Sequence, residues 1–302
     1  MSLFQEYVQP QTIDEALGML SAAEGSCSVI AGGTDLLLDI RQGRHPEVDL
    51  LIDVSAIEEM KTISLEEGVV YLGASVTHKR IVHNAILQEH ARCVVEGCGL
   101  IGGPQVRNVA TIGGNVAHAL PAGDGTVALL AMDAEVQLAS SQGRRWLPLI
   151  EIFAGPGRVT FDRGEEMLVG FRFSAREDGQ ASAFKRVMRP QGVAIAILNM
   201  AARLLVADGE FRKVQLSCGP AGPQPFRAYR TEEFLNGQPV DSDFFNAASQ
   251  LLAEEVSLRT SAHRATKEYR HVLLPVLLQD VLEETVSRSL NQPYDIKGVN
   301  HD

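Results

Sequence analysis

Two short segments constrain this 302-residue chain more than any other feature. In each, a glycine pair is followed by a small polar residue: Ala31-Gly32-Gly33-Thr34-Asp35, which an apolar stretch enters directly, and Thr111-Ile112-Gly113-Gly114-Asn115. Glycine lets a backbone approach a ligand closely and present successive N–H donors, which together form a concave anion site. Thr34, Thr111 and Asn115 add side-chain donors beside those amides. Two such loops from different parts of a chain can grip a pyrophosphate from both sides. The acidic Asp35 and Asp124 repel phosphate and suit ribose or ribityl hydroxyls instead. Either loop alone is equally what an ordinary tight turn needs. Both together, with Gly102-Gly103-Pro104 and Gly123-Asp124 nearby, favour a ligand site. Neither matches G-x-G-x-x-G or the P-loop, so Rossmann and Walker nucleotide sites are disfavoured.

The pattern around these loops divides the chain. Residues 1–54 form a first α/β lobe. Thr12-Ile13-Asp14-Glu15 is a capping box opening a helix with Ile13, Ala16, Leu17 and Leu20 on its apolar face. A buried strand at 27–31 enters the first glycine loop, a short helix follows at 36–40, and 50–54 is a second strand. Residues 55–178 form a second lobe. It has a hairpin around Glu66-Glu67-Gly68, helices through 77–95, the glycine-rich stretch 102–124, a helix at 126–132 and a strand at 135–139. Residues 179–290 form a third region. Its apolar runs 193–206 and 213–218 flank Asp208-Gly209, a hairpin signal, and 231–286 is helical in pattern. Asp241, Ser242 and Asp243 are candidate caps, and the polar tail 291–302 is expected to be poorly ordered.

The formal charge of −11 makes nucleic acid and anionic lipid unfavourable partners. Cys27, Cys93, Cys98 and Cys218 are scattered without a C-x-x-C pair, so no metal or iron–sulfur site is expected in this chain. The absence of a signal-like start or a membrane-length apolar run gives the expectation of a cytoplasmic protein with no membrane insertion.

The first loop with Leu36, the segment Gln105 to Asn115 and Pro121-Ala122-Gly123-Asp124 are similar to the FAD-binding subunit of the molybdenum hydroxylases. That family includes xanthine dehydrogenase and carbon monoxide dehydrogenase. Ala183-Phe184-Lys185, Gly192-Val193-Ala194, the Gly219-Pro220 loop and Glu268-Tyr269-Arg270 extend the resemblance over nearly the whole chain. It implies an α+β fold: a two-lobed FAD-binding domain of the vanillyl-alcohol-oxidase/PCMH type, then a C-terminal α+β domain of antiparallel sheet and helices. By the same resemblance, Val29, Ile30, Ala31, Gly32, Gly33, Thr34, Asp35 and Leu36 hug the adenine-dinucleotide part of a non-covalent FAD. Ile101, Gly102, Val106, Ala110, Thr111, Gly114, Asn115 and Ala117 line the diphosphate and flavin. Gly123 and Asp124 join the cofactor-binding set, Asp124 through ribityl or ribose hydroxyls; Met167 or Leu168 packs on the adenine side, and Lys185 approaches the flavin ring. The chain departs from the family in lacking the inserted iron–sulfur segment of some members, and in Leu120 and Met167, where a small and an aliphatic residue are usual.

Several residues keep a second reading. Asp124 also suits an N-cap, Lys185 alone reads as a solvated lysine, and Arg107 can meet either a phosphate or a neighbouring acid. The implied function is a redox relay. Substrate is oxidised in a molybdenum-cofactor large subunit, and electrons cross a [2Fe-2S] small subunit to this flavin and then to NAD, oxygen or a quinone. No residue of this chain is expected to act as acid or base on the organic substrate. The alternative is a self-contained flavin reductase or oxidase, for which His118 or Cys98 would be the candidate covalent tether. A third possibility is a non-catalytic module that kept the fold.

Overall fold

The computed structural model describes residues 3–189, 195–262 and 264–294. The chain opens with β1 (Phe4–Val8), α1 (Ile13–Ala22), β2 (Cys27–Ile30), α2 (Leu36–Arg41) and β3 (Val48–Asp53). The three strands form a parallel sheet in the order β1-β3-β2. Thr12 caps α1 by accepting from the N–H of Glu15 (3.1 Å), and the Glu15 carboxylate accepts from the N–H of Gln11 (2.7 Å). Ile13, Ala16, Leu17 and Leu20 are buried, as the periodicity predicts. β1 has no sequence signal. Its central residues are exposed, and it is a strand only because its backbone pairs with β3.

Next come β4 (Ile63–Glu66), β5 (Val69–Gly73), α3 (His78–His83), α4 (Ala85–His90), α5 (Arg92–Gly99), α6 (Pro104–Val109), α7 (Ile112–Ala117) and α8 (Asp124–Ala131). They are followed by β6 (Glu135–Ser140), β7 (Gly143–Pro148), β8 (Phe153–Gly155), β9 (Arg158–Val159) and β10 (Glu166–Ser174). A five-stranded sheet runs β4-β5-β10-β6-β7, antiparallel throughout. The β4–β5 turn places Glu67 and Gly68 at φ +49° and +77°, the pair of left-handed residues that a two-residue hairpin requires. Every residue of α8 is buried.

A second antiparallel sheet, β11 (Gln180–Val187), β12 (Leu198–Ala207), β13 (Glu210–Gly219) and β14 (Phe226–Arg227), is arranged in that order. Asp208 and Gly209, at φ +54° and +75°, turn β12 into β13, as the Asp-Gly signal predicts. The strand expected from 193 begins at Leu198; Gly192, Val193 and Ala194 lie outside the described residues. Helices α9 (Tyr229–Leu235), α10 (Ser242–Glu255) and α11 (Lys267–Leu290) complete the chain. Asp241 caps α10 through the N–H of Asp243 (2.7 Å). The start of the tail is anchored, with Tyr294 donating from its hydroxyl to the Val240 carbonyl (2.8 Å); residues 295–302 lie outside the described part.

Side chains on one face of this second sheet reach α5 and α8. The N–H of Cys93 donates to Ser182 Oγ (3.1 Å), and Ser217 Oγ donates to the Val127 carbonyl (2.6 Å). Phe184 joins the core of the preceding sheets, whereas Ala183 and Val187 pack with α11 in the last part of the chain.

Candidate functional site

The two glycine loops meet. A Cβ on Gly32 would stand 2.2 Å from the Val109 carbonyl oxygen and 2.7 Å from Ala110 Cα, so the bare backbone of the first loop lies on the residues that lead into the second. In the first loop Gly33 takes φ +65°. Among the described residues, the N–H groups of Gly32, Gly33, Thr34 and Asp35 donate to no acceptor. Ala31 to Thr34 are half-buried and Asp35 is exposed. Four successive unsatisfied amides are the kind of donor set that anion-binding nests use. Val29, Ile30 and Leu36 form its apolar footing at the end of β2 and the start of α2.

The second loop is built differently, which corrects the expectation of two equivalent cradles. Ile112 N–H donates to Val76 (3.0 Å), Gly113 N–H to Ala74 (2.8 Å), and Asn115 N–H to the Thr111 carbonyl (3.0 Å). Gly114 N–H donates to Thr111 Oγ1 (3.1 Å), which caps α7. These amides hold the loop on the segment that follows β5 and on Thr111, and have no donor to offer. Gly113 is needed for contact, because a Cβ there would lie 2.6 Å from Ala74 Cβ and 2.7 Å from its carbonyl oxygen. Asn115 Oδ1 accepts from Thr126 N–H (3.0 Å) and Thr126 Oγ1 (3.1 Å), tying α7 to α8 and leaving its Nδ2 as the free donor. The donors left on this side are therefore side-chain groups.

Around this junction Ile101 and Gly102 form a turn whose carbonyls accept from Arg107 Nη1 at 3.0 and 2.7 Å. Arg107 thus pairs with no acid among the described residues. Val106 packs against Gly102, Ala110 accepts from His78 N–H (3.0 Å), and Ala117 accepts from Arg163 Nη2 (2.6 Å). Met167 and Leu168 lie buried on β10. His118 bridges toward the first loop, with Nδ1 3.7 Å from Asp35 and Nε2 3.4 Å from Asp39. Cys98 is fully buried, and burial raises its thiol pKa far above the ordinary value, so it offers no nucleophile.

Asp124 is the most heavily engaged of these residues. Gly123, not Asp124, is the N-cap of α8, which corrects the capping alternative. The Asp124 carboxylate accepts from Arg186 Nη1 on β11 and from Asn199 Nδ2 on β12 (2.6 Å). Both charged side chains are buried, at 6% and 7% exposure. Burial pushes the Asp124 carboxyl upward, and the Arg186 charge and the Asn199 hydrogen bond pull it back. Lys185 instead directs its ammonium to Glu284 on α11 (3.1 Å). The alternation along β11 explains the difference: Ser182, Phe184 and Arg186 share the face toward α5 and α8, while Ala183, Lys185 and Val187 share the other. Sequence reasoning missed Arg186 and Asn199; strand alternation next to Lys185 is the signal that points to Arg186.

His78 at the start of α3 is 1% exposed, with no partner for Nδ1. Burial, with the nearby Arg107 charge, depresses it from 6.5 to about 4. The unfolded chain therefore binds this proton more readily, and the stability present above pH 6.5 is lost as pH falls toward 4. Urea unfolding at pH 7 and pH 4.5 is expected to show a drop on the order of 3 kcal/mol that His78→Leu removes. Parallel losses in both proteins would assign the acid sensitivity elsewhere.

Residues 2–173 match the family model described as the FAD binding domain in molybdopterin dehydrogenase, and residues 182–285 match the CO dehydrogenase flavoprotein C-terminal domain. The xanthine dehydrogenase FAD-binding subunit of Escherichia coli O157:H7 is 29% identical over 94% of this chain and 97% of its own length. The nicotinate dehydrogenase FAD-subunit of Eubacterium barkeri is 30% identical over 83% of this chain and 86% of its own. In fold, the chain superposes with a TM-score of 0.89 and 24% identity on a chain of the carbon monoxide dehydrogenase of Hydrogenophaga pseudoflava, covering 94% of this chain and 97% of that one. Among the described residues no helix is long and apolar enough to cross a membrane.

Proposed function

We propose, from the premise that this chain belongs to the family of FAD-binding domains of molybdopterin dehydrogenases, that it is the flavoprotein subunit of a molybdenum hydroxylase complex. In that role it binds FAD non-covalently between the first glycine loop and the α7–α8 junction. One observation carries this reading: four successive N–H groups, Gly32 to Asp35, donate to no acceptor among the described residues, within the segment matched by the family. A dinucleotide pyrophosphate fits that donor set, and the bare Gly32 lets the facing segment Val109–Ala110 lie close beside it. FAD, when bound, supplies both one-electron and two-electron redox chemistry, which suits a junction between one-electron centres and a two-electron acceptor.

The chain's own residues bind and orient. The Gly32–Asp35 amides and the Thr34 hydroxyl hold the pyrophosphate, with Thr111 Oγ1 and Asn115 Nδ2 donating from the facing loop. Asp124, fixed by Arg186 and Asn199, keeps spare carboxylate lone pairs for sugar or ribityl hydroxyls. Val29, Ile30, Met167 and Leu168 exclude water from the apolar side. For Lys185 to stabilise negative charge on a flavin, its pair with Glu284 has to be shared or opened. Buried Cys98 supports non-covalent binding. The partners proposed are a molybdenum-cofactor large subunit and a [2Fe-2S] small subunit, with NAD, oxygen or a quinone as acceptor.

The test is the absorbance spectrum of the purified chain before and after adding FAD, followed by acid precipitation. The expected result is a flavin spectrum, FAD rather than FMN, released into the supernatant and lost in Gly114→Val. A folded chain that takes up no flavin would overturn the proposal. Flavin retained in the pellet would favour a self-contained oxidase.

A further inference from the structure

A second site lies away from the glycine loops. A half-open cavity of about 330 Å³ sits where α4, α5, the β10–β11 connection, β12 and α11 converge. Four guanidinium groups line it, those of Arg92, Arg176, Arg203 and Arg288, against one carboxylate, Glu89. Arg92 and Arg288 share Glu96, and Arg288 and Lys185 share Glu284, so each of these cations has a carboxylate partner. Arg176 and Arg203 have no carboxylate within ion-pair distance among the described residues. Arg203 is only 4% exposed. Its Nη2 is held by neutral groups alone: the carbonyls of Ser174 (3.0 Å) and Ala175 (3.1 Å) and Gln180 Oε1 (2.7 Å). The charges of Glu177 and Asp133 act on it only from beyond ion-pair distance, and burial still disfavours the guanidinium, so an anion brought to it would be held favourably. Here it lines a cavity open to solvent, in a chain of net charge −11.

We propose that this cavity binds a small polyanion rich in phosphate or carboxylate groups. Guanidinium forks from α5, β12 and α11 converge on one volume, the arrangement that multidentate oxyanion recognition uses. Ala181 is the sole apolar side chain among the lining residues, so the ligand carries no large flat apolar group such as a nucleobase or flavin. Bound there, it ties α5 to α11, and so the FAD-domain match to the C-terminal part of the chain.

The test is calorimetric titration of the FAD-loaded chain with sodium pyrophosphate and, separately, sodium citrate, each against sodium chloride at matched ionic strength. Loading with FAD keeps the probe out of the glycine loop. One saturable equivalent is expected, with a dissociation constant below about 1 mM for the better probe, and a rise in melting temperature of a few degrees. The better of the two anions distinguishes a phosphate from a carboxylate ligand. Arg176→Gln, which removes an exposed guanidinium without an ion-pair partner, should weaken binding about tenfold and leave the anion-free melting temperature unchanged. Arg230→Gln, at a surface pair with Glu254, should change nothing. A response matched by chloride, or undiminished in Arg176→Gln, would overturn the proposal. If the chain takes up no FAD, the comparison of Arg176→Gln with wild type still reports on the cavity alone.

Discussion

Gly32→Ala is expected to destabilise the chain by about 3 kcal/mol and to weaken FAD binding at least about a hundredfold. The added Cβ would fall 2.2 Å from the Val109 carbonyl oxygen and 2.7 Å from both Val109 C and Ala110 Cα. These are backbone atoms, with no rotamer to move aside. Ala110 is held in turn by the N–H of His78, and the next residues by Val76 and Ala74. Relief therefore requires the two loops to part, which displaces the Gly32–Asp35 amides from the facing loop. Gly18→Ala is the matched control: it lies inside α1 with nothing within 4 Å of its would-be Cβ. It should stabilise the protein by about 1 kcal/mol and leave the flavin untouched. Urea unfolding and fluorescence titration with FAD read both quantities. Wild-type affinity in Gly32→Ala would mean that contact between the loops does not shape the site.

Arg186→Met is expected to cost about 3–5 kcal/mol, because it leaves the buried Asp124 carboxylate without its cation. Burial already raises that carboxyl, and Arg186 is the main influence restraining it. Removing the restraint moves it further up. A carboxyl with a raised folded pKa binds its proton more tightly in the native state, so stability falls as pH rises through that pKa. The variant should therefore regain stability relative to wild type when pH is lowered from 7 to 5. Arg186→Met combined with Asp124→Leu should recover most of the loss, since it removes both charges. Equal stability of the single and double variants would show that the unpaired Asp124 carboxylate is not what destabilises Arg186→Met. In every one of these proteins the far-ultraviolet spectrum at 25 °C checks that the fold persists.

What could be read from the residues was local or patterned. The Thr12–Glu15 cap, the apolar face of α1, the left-handed Glu67-Gly68 and Asp208-Gly209 turns and the Asp241 cap each depend on groups a few positions apart. The family resemblance rests on equally compact segments, and it carried the α+β class and the identity of the cofactor domain with it. The strand β1 is not legible in the sequence because its five residues show no clean apolar–polar alternation and its partner β3 lies some forty positions on.

The chemistry of the two loops divided differently. Both contain glycine pairs, and nothing in their composition says that the first has free amides while those of the second are bound to Ala74, Val76 and Thr111. That difference depends on where β5 runs. The turn of Arg107 onto the carbonyls of Ile101 and Gly102, and the burial of His78, follow from how α3 packs on α6. The Arg186–Asp124–Asn199 cluster joins residues more than sixty positions apart. By itself, the sequence determined the secondary-structure signals, the fold class and the segments able to approach a phosphate, since short-range hydrogen bonding and hydrophobic periodicity are properties of neighbours. Tertiary structure alone decided which amides stay unsatisfied and which charges meet, since burial and long-range pairing exist only once the sheets and helices have packed.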